Sequence, residues 1–355
     1  MLHASSFPEA TSQTPGAGPP ARERRALLVI PCLNEEAFIG GLLEQLLRDQ
    51  NLVDPLIVVA DGGSSDLTRQ IVERLTRANS QIVLMDNPKR LQSAGVNRAA
   101  QHYGEGRFWL IRIDAHATYP EGYASALIAE AERHDAASVV VAMDTVGDPG
   151  FQRATATAQS SRLGAGGSAH RSAGVSGWVD HGHHALFRLD DFLACGGYDE
   201  TFSHNEDAEF DLRLARAGGA IWLTDAPRVI YHPRATPGAL WRQYLAYGDG
   251  RARTVLKHRA RLRPRQALPL LVAPAALAAL AAPLFWPLGL PALAWAVICL
   301  GYGLVLSIQR RDPWAALSGP AAMIMHLAWS VGAWRRFLRP RPQLRLDLVA
   351  DPAVS

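Results

Sequence analysis

Phe108-Trp109-Leu110-Ile111-Arg112-Ile113-Asp114-Ala115-His116 is the stretch that decides the fold. Its apolar start reads as a buried strand, and the strand ends in Asp-x-His. Such an ending delivers a carboxylate and an imidazole to the carboxyl edge of a sheet, where open α/β sheets bind ligands. Asp114 and His116 can both reach one divalent cation if the chain turns there. The plainer alternative is an Asp114 that caps the next helix and a His116 that meets only solvent.

Two strand ends upstream weigh against that alternative. Ala26 to Ile30 reads as a strand that Pro31 ends, because proline cannot donate to a ladder. Asn34 then serves as an N-cap for a helix with apolar residues at Phe38, Ile39, Leu42, Leu43, Leu46 and Leu47. Leu56 to Ala60 is a second strand, ending in Asp61-Gly62-Gly63-Ser64-Ser65-Asp66, with a helix starting near Ser65. Ile82 to Met85 is a third strand, followed by a helix from about Gln92 to Gln101. Strands alternating with helices imply a mostly parallel sheet with right-handed crossovers.

Taken in order, Pro31-Cys32-Leu33-Asn34-Glu35-Glu36, Asp61 to Asp66, Asn87-Pro88, Ser93-Ala94-Gly95-Val96-Asn97, Asp114-Ala115-His116 and Asn205-Glu206-Asp207 resemble family 2 glycosyltransferases of the GT-A fold. The resemblance spans roughly Ala26 to Arg253. The Ile-Asp-Ala-His form, Asp180 to Phe187 and Tyr247 to Arg253 bring the chain nearest to members that act in bacterial exopolysaccharide assembly. It implies an α/β fold of the GT-A nucleotide-sugar-binding type with a mostly parallel central sheet, plus C-terminal membrane helices. It further implies transfer of a hexose, glucose foremost, from a UDP-sugar to a polyprenyl-diphosphate-linked saccharide.

The resemblance also assigns roles. Pro31, Leu33, Asn34 and Glu35 hold the nucleotide, and Asp61 bonds the uracil imide, with Gly63, Asn97, Arg112 and Asp114 completing the nucleotide-sugar site. Asp114 and His116 bind the divalent cation, Mg2+ or Mn2+; the usual motif has a second acid where this chain has His116. Asp207 is the catalytic base, with His183 and Glu206 beside it on the acceptor side.

The segment from Ser203 to Leu214 independently reads as the start of a helix that Gly218-Gly219 closes. Acids in a first turn are favoured by the helix dipole. Glu206, Asp207, Glu209 and Asp211 exceed what a cap needs, and crowding raises the pKa of at least one of them, which suits a base. Inversion by one displacement needs no Ser or Cys nucleophile. His181, His183 and His184 lack the spacing of a structural zinc site. His232 is a packed histidine, a residue that closes over the diphosphate, or a further metal ligand. Arg234, Arg251 and Arg253 suit phosphate or an anionic lipid surface. Ser160 to His170 is glycine-rich and reads as a loop over the site.

Met1 to about Arg25 is rich in Ser, Pro, Ala and Gly and reads as a disordered tail, without the apolar run of a signal peptide. The catalytic domain spans 26–260 and a membrane-embedded region 266–338. Ala267 to Pro287 and Leu288 to Ile308 each approach the roughly 20 residues that cross a bilayer. Arginines flank both ends, which predicts a hairpin with a cytoplasmic catalytic domain at the bacterial plasma membrane. Trp314 to Trp334, interrupted by Pro320 and His326 and followed by arginines, reads as re-entrant or interfacial rather than as a third span.

The net charge of +3 is concentrated in its basic part around those apolar stretches, which points to membrane lipid and not to nucleic acid as the partner. Three scattered cysteines argue against a disulfide framework and fit a reduced cytoplasmic catalytic domain. Besides donor and lipid-linked acceptor, other polysaccharide-assembly proteins are expected partners. Two other functions compete: a processive polysaccharide synthase, whose Gln-x-x-Arg-Trp motif is missing after Gln243, and an inactive membrane assembly scaffold, against which the acids at Asp61, Asp114 and Asp207 argue.

Overall fold

The computed structural model describes residues 25–165, 176–262 and 264–339. The expected N-terminal tail and the second half of the Ser160–His170 loop lie outside them. The chain alternates β1 (Arg25–Cys32), α1 (Ile39–Leu47), β2 (Val53–Asp61), α2 (Thr68–Ala78), β3 (Ile82–Asp86), α3 (Gln92–Tyr103) and β4 (Trp109–Arg112). It continues through α4 (Tyr123–His134), β5 (Ser138–Thr145), α5 (Phe151–Gln159), α6 (Arg162–Ala165), β6 (Gly177–Val179), β7 (His183–Arg188) and α7 (Leu189–Ala194). Next come α8 (Glu206–Arg216), β8 (Ile221–Tyr231) and the long α9 (Pro237–His258).

The eight strands form one sheet in the order β3-β2-β1-β4-β7-β5-β8-β6. Neighbours from β3 to β4 run parallel, as do β5 and β8, while β7 runs antiparallel to both β4 and β5. The sheet is therefore mostly parallel, as the alternation predicted. Leu28, Ile30, Ile57 and Ile111 point to one buried layer with α1 and α4, and Leu27, Val29, Val58 and Leu110 to the other with α3 and α7. Each such side chain contributes about 1.5–3 kcal/mol of burial. This two-sided burial explains the unbroken apolar runs of β1 and β4.

Some boundaries differ from the expectation. Pro31 does not end β1: it pairs with Ala60, and the strand continues to Cys32 opposite Asp61. Asn34 is not a helix cap. It has φ +60°, its backbone N–H donates to Ser64 Oγ at 2.9 Å, and its Oδ1 accepts from the Ser65 amide at 2.8 Å. Asn34 thus stitches the turn after β1 to the turn after β2, and α1 begins only at Ile39.

The C-terminal region also departs from two continuous spans. The first apolar stretch is two short helices, α10 (Pro264–Leu270) and α11 (Val272–Ala279). Pro274 has no N–H to offer the Leu270 carbonyl one turn back. That carbonyl accepts instead from Ser330 Oγ at 3.1 Å and Trp334 Nε1 at 2.8 Å. The second stretch is a 3-10 turn (Trp286–Gly289) leading into α12 (Leu290–Arg310). Among the described residues, Trp286–Arg310 alone is a helix long and apolar enough to cross a bilayer.

The third stretch, α13 (Ser318–Phe337), packs along α9. Gly248 of α9 and Gly332 of α13 allow this. A Cβ on Gly248 would lie 2.0 Å from the Trp329 carbonyl oxygen, and one on Gly332 would lie 2.0 Å from that of Leu245. Asp249 pairs with Arg336 at the end of the same contact. His326 of α13 donates from Nε2 to the Leu163 carbonyl at 2.9 Å and accepts at Nδ1 from Trp295 at 3.3 Å, joining α6 to α12.

Candidate active site

The carboxyl ends of β1, β2 and β4 open onto one cavity of about 770 Å³. The turn after β1 supplies Pro31, Leu33 and Glu35, the turn after β2 supplies Gly62, and the β3–α3 connection supplies Arg90 and Gln92. Arg112, Asp114 and His116 enter from β4, and Glu206 and Asp207 from the start of α8. The cavity is also lined by His183, His232, Arg234, Gln243, Tyr244, Tyr247 and Arg251. This is the sheet edge at which the sequence placed a site, and it lies at the strand ends as open α/β sheets require.

Arg112 organises the centre. Its side chain is 5% exposed; Nη1 lies 2.7 Å from Asp207 Oδ1 and 3.8 Å from Glu206 Oε1, and Nε lies 3.3 Å from Asp114 Oδ1. Burial alone would lower the pKa of this guanidinium; Asp207 and then Asp114 outweigh it, so the cation is retained. Burial would likewise raise the Asp114 carboxyl, but Arg112, and after it His183, hold it well below the usual carboxylate range. Gln92 Nε2 donates to Asp114 Oδ1 at 2.7 Å, and the Asp114 amide donates to Tyr119 Oη at 2.7 Å. Asp114 is thus an ionised, fixed carboxylate facing the cavity.

The four acids of α8 divide by environment. Glu209 is fully buried and takes a two-pronged contact from Arg213, together with Lys257 and His258. Asp211 is fully buried and accepts from the Gly182 amide at 3.4 Å. These two hold the fold together. Glu206 and Asp207 face the cavity. Burial, and then the charge of Asp207, push the Glu206 carboxyl up to about 7, against the opposing pull of Arg112.

The remaining expected residues fall into two groups. Pro31, Leu33, Glu35, Arg112, Asp114, His116, His183, Glu206 and Asp207 share the cavity wall. Asp61, Gly63, Asn34 and Asn97 do not line it; Asp61 and Asn97 are buried, and Asn34 and Gly63 are exposed. The Asp61 side chain accepts from the Gly63 and Ser64 amides and from Ser64 Oγ at 2.5 Å, and Arg69 lies 3.4 Å away. Asn97 bonds the Tyr198 amide, the Tyr198 carbonyl and Glu200, so it clasps α3 to the segment leading to α8. Arg253 is held by Thr201 and the face of the Phe202 ring, away from the cavity.

Among the described residues, no three His, Cys, Asp or Glu side chains are grouped to hold a metal ion. His183 Nε2 lies 3.5 Å from Asp114 Oδ2, while His116 Nδ1 lies 2.9 Å from Glu35 Oε1. An ionised carboxylate with one nearby imidazole fits a cation that takes its other ligands from phosphate and water, as magnesium sites do. Imidazole suits softer metals better than magnesium or manganese, so Asp114 is the donor that best fits either ion.

Sequence reasoning missed Arg90, whose Nε donates to the Gly62 carbonyl at 2.8 Å, and the α9 residues Gln243, Tyr244 and Tyr247. The spacing of Gln243, Tyr247 and Arg251 at every fourth position was the available signal, since these share one helix face.

Residues 27–194 match the family model for glycosyl transferase family 2. The chain is 52% identical over 313 residues to the succinoglycan biosynthesis protein ExoA of Rhizobium meliloti, covering 88% of this chain and 95% of that protein. Among solved structures, it resembles the mannosyltransferase PcManGT from Pyrobaculum calidifontis in complex with GDP-Man and Mn2+. That likeness has a TM-score of 0.54 at 19% identity, over 88% of this chain and 87% of that one. At this identity the match speaks to a shared GT-A-like fold alone.

Proposed function

The chain belongs to glycosyl transferase family 2, and on that premise we propose that it is an inverting, metal-dependent hexosyltransferase. It moves glucose from UDP-glucose to a polyprenyl-diphosphate-linked saccharide during exopolysaccharide assembly. The observation that carries this reading is the ion-paired line Asp114–Arg112–Asp207 across one cavity. It joins the acid expected at the donor diphosphate to the acid expected at the acceptor hydroxyl.

The acceptor hydroxyl gives its proton to Asp207 and attacks the anomeric carbon, while the nucleoside diphosphate departs from the opposite face. Arg112 orients Asp207, and its buried positive charge offsets the charges of Asp114 and Asp207 on either side of it. A divalent cation, magnesium or manganese, held by Asp114 with His116 or His183, supplies positive charge to a leaving diphosphate when bound. PcManGT, which shares the fold, was solved with a nucleotide sugar, GDP-Man, and Mn2+.

The acceptor reading is supported by the apolar C-terminal elements. Leu277, Leu280, Leu284, Phe285, Trp286, Leu293, Val297, Ile298, Leu304 and Ile308 are exposed, a surface far larger than a soluble monomer carries. Arg310 at the end of α12 reaches Thr157 of α5 at 3.5 Å, so α12 returns to the catalytic domain as a hairpin does. In this reading α10, α11 and α12 enter the plasma membrane, α13 lies along α9 at its surface, and the catalytic domain is cytoplasmic. Other assembly proteins meet the chain at the same membrane.

One observation favours a second assignment within this mechanism. Glu206, pushed up to about 7, titrates where a general base works best. Transfer of labelled glucose from UDP-glucose to a bacterial lipid extract, with magnesium or manganese supplied or chelated, tests the function. Metal-dependent label in the lipid phase supports it; label that survives chelation removes the metal from the mechanism.

A further inference from the structure

In the same cavity, three groups meet on α9 and β8. Gln243 Nε2 donates to Tyr231 Oη and to Tyr247 Oη, each at 3.0 Å. Tyr244 adds a ring 5.5 Å from that of Tyr247, inclined at 64°. All four line the cavity that also holds Glu206 and Asp207. Gln243 Oε1 is buried and has no hydrogen-bond partner among the described residues. Buried acceptors are normally paired, because leaving one unpaired is costly.

This chemistry matches one class of ligand. A sugar ring presents C–H faces that pack on aromatic rings and hydroxyls that both donate and accept. Tyrosine supplies the ring and a hydroxyl of the same dual character, and a carboxamide oxygen accepts from a hydroxyl. Tyr231, Gln243, Tyr244 and Tyr247 are themselves uncharged, which suits the hydroxyls of a saccharide, while Arg234 and Arg251 line the same cavity and suit an anion. The cluster's mounting is shared with the acids: the Tyr247 carbonyl accepts from Asn205 Nδ2 at 3.0 Å, and Asn205 immediately precedes Glu206 and Asp207.

We propose that Tyr231, Gln243 and Tyr247 form the seat for the terminal sugar of the acceptor. The seat rests on the transferase reading given above. α9, which carries Gln243 and Tyr247, is the helix against which α13 packs through Gly248 and Gly332. The seat is therefore built on the side of the catalytic domain that adjoins the apolar helices, where a saccharide carried by a lipid arrives.

The test uses the full chain in detergent, comparing wild type with Gln243→Leu and Tyr231→Phe. Transfer from UDP-glucose is followed while the bacterial lipid extract and the UDP-glucose are varied separately. The seat predicts that half-saturation by the extract rises about tenfold in Gln243→Leu, the loss of roughly one hydrogen-bonded sugar contact, with half-saturation by UDP-glucose unchanged. An unchanged dependence on extract, or a rise for UDP-glucose instead, overturns it. A second readout needs no transfer: saturation-transfer NMR with methyl hexosides in the presence of UDP. Contact in wild type that Gln243→Leu loses, with UDP still bound, supports the seat. Equal contact in both, or contact in neither, overturns it. Absence of transfer by wild type strikes the proposed function, whereas the hexoside result strikes the seat alone.

Discussion

Asn205 reaches from the residue before the acid pair to the Tyr247 carbonyl on α9, with Nδ2 as donor at 3.0 Å. Asn205 has φ +64°, a left-handed conformation that Asn and Gly adopt readily. On the other side, a Cβ on Gly250 would lie 2.6 Å from the His204 carbonyl oxygen, so α9 and the acid loop touch backbone to backbone. The backbone just before Asp207 is therefore tied to α9, and α9 packs against α13.

Asn205→Gly isolates that tie, since glycine keeps the left-handed backbone and removes the amide. The expected outcome is a kcat about tenfold lower, the worth of one hydrogen bond used for orientation, with UDP binding unchanged. Steady-state kinetics beside UDP titration checks it. A variant with wild-type kcat would mean the loop holds its shape unaided.

Arg112 neutralises two acids in a buried setting, so its loss leaves charge without compensation. Arg112→Met is expected to destabilise the chain by about 3–5 kcal/mol, and Arg112→Lys by less. Thermal unfolding of the purified full chain reads both. Equal melting temperatures for wild type and Arg112→Met would show that water already relieves the acids.

The α9–α13 contact tolerates no side chain at its closest points. Gly332→Leu is expected to cost about 1–3 kcal/mol or more and to raise hydrogen exchange in both helices. Gly301 has nothing within 4 Å of an added Cβ, so Gly301→Leu is the control that leaves exchange unchanged. Identical exchange in the two variants would contradict the docking of α13.

Glu206 gives a pH dependence whose sign is fixed. Its folded pKa of about 7 lies above the ordinary 4.5, so the folded chain keeps a proton that the unfolded chain releases first. That stability is complete below the ordinary value and is lost as pH rises through about 7. Glu206→Gln removes the effect. Its stability relative to wild type should improve by about 1–3 kcal/mol between about pH 5 and about pH 8, measured by denaturant unfolding. A difference independent of pH would place the Glu206 pKa in the ordinary range.

The parallel half of the sheet was legible because each of its strands is apolar on both faces and ends in a polar turn. Asp114, Glu206 and Asp207 were legible because acids at strand and helix ends are conspicuous. What local pattern cannot carry is pairing over long separation. Asn34 reads as a cap until Ser64 and Ser65 are beside it. Glu209 looks as reactive as Asp207 until Arg213, Lys257 and His258 surround it. The apolar run from Ala267 reads as one span, and only the position of Ser330 and Trp334 explains how a break at Leu270 is satisfied. Gln243 lay in view as the start of an absent motif, and its two tyrosine partners came from different elements.

The central claim is that Asp207 takes the acceptor's proton in a direct displacement. The most direct measurement is label transferred from UDP-glucose to a bacterial lipid extract by membranes holding wild type, Asp207→Asn or Glu206→Gln, all with metal supplied. Label is expected in the lipid phase with wild type and Glu206→Gln, with a loss of at least about a hundredfold with Asp207→Asn. Undiminished transfer by Asp207→Asn would contradict it, and loss in Glu206→Gln alone would move the base to Glu206.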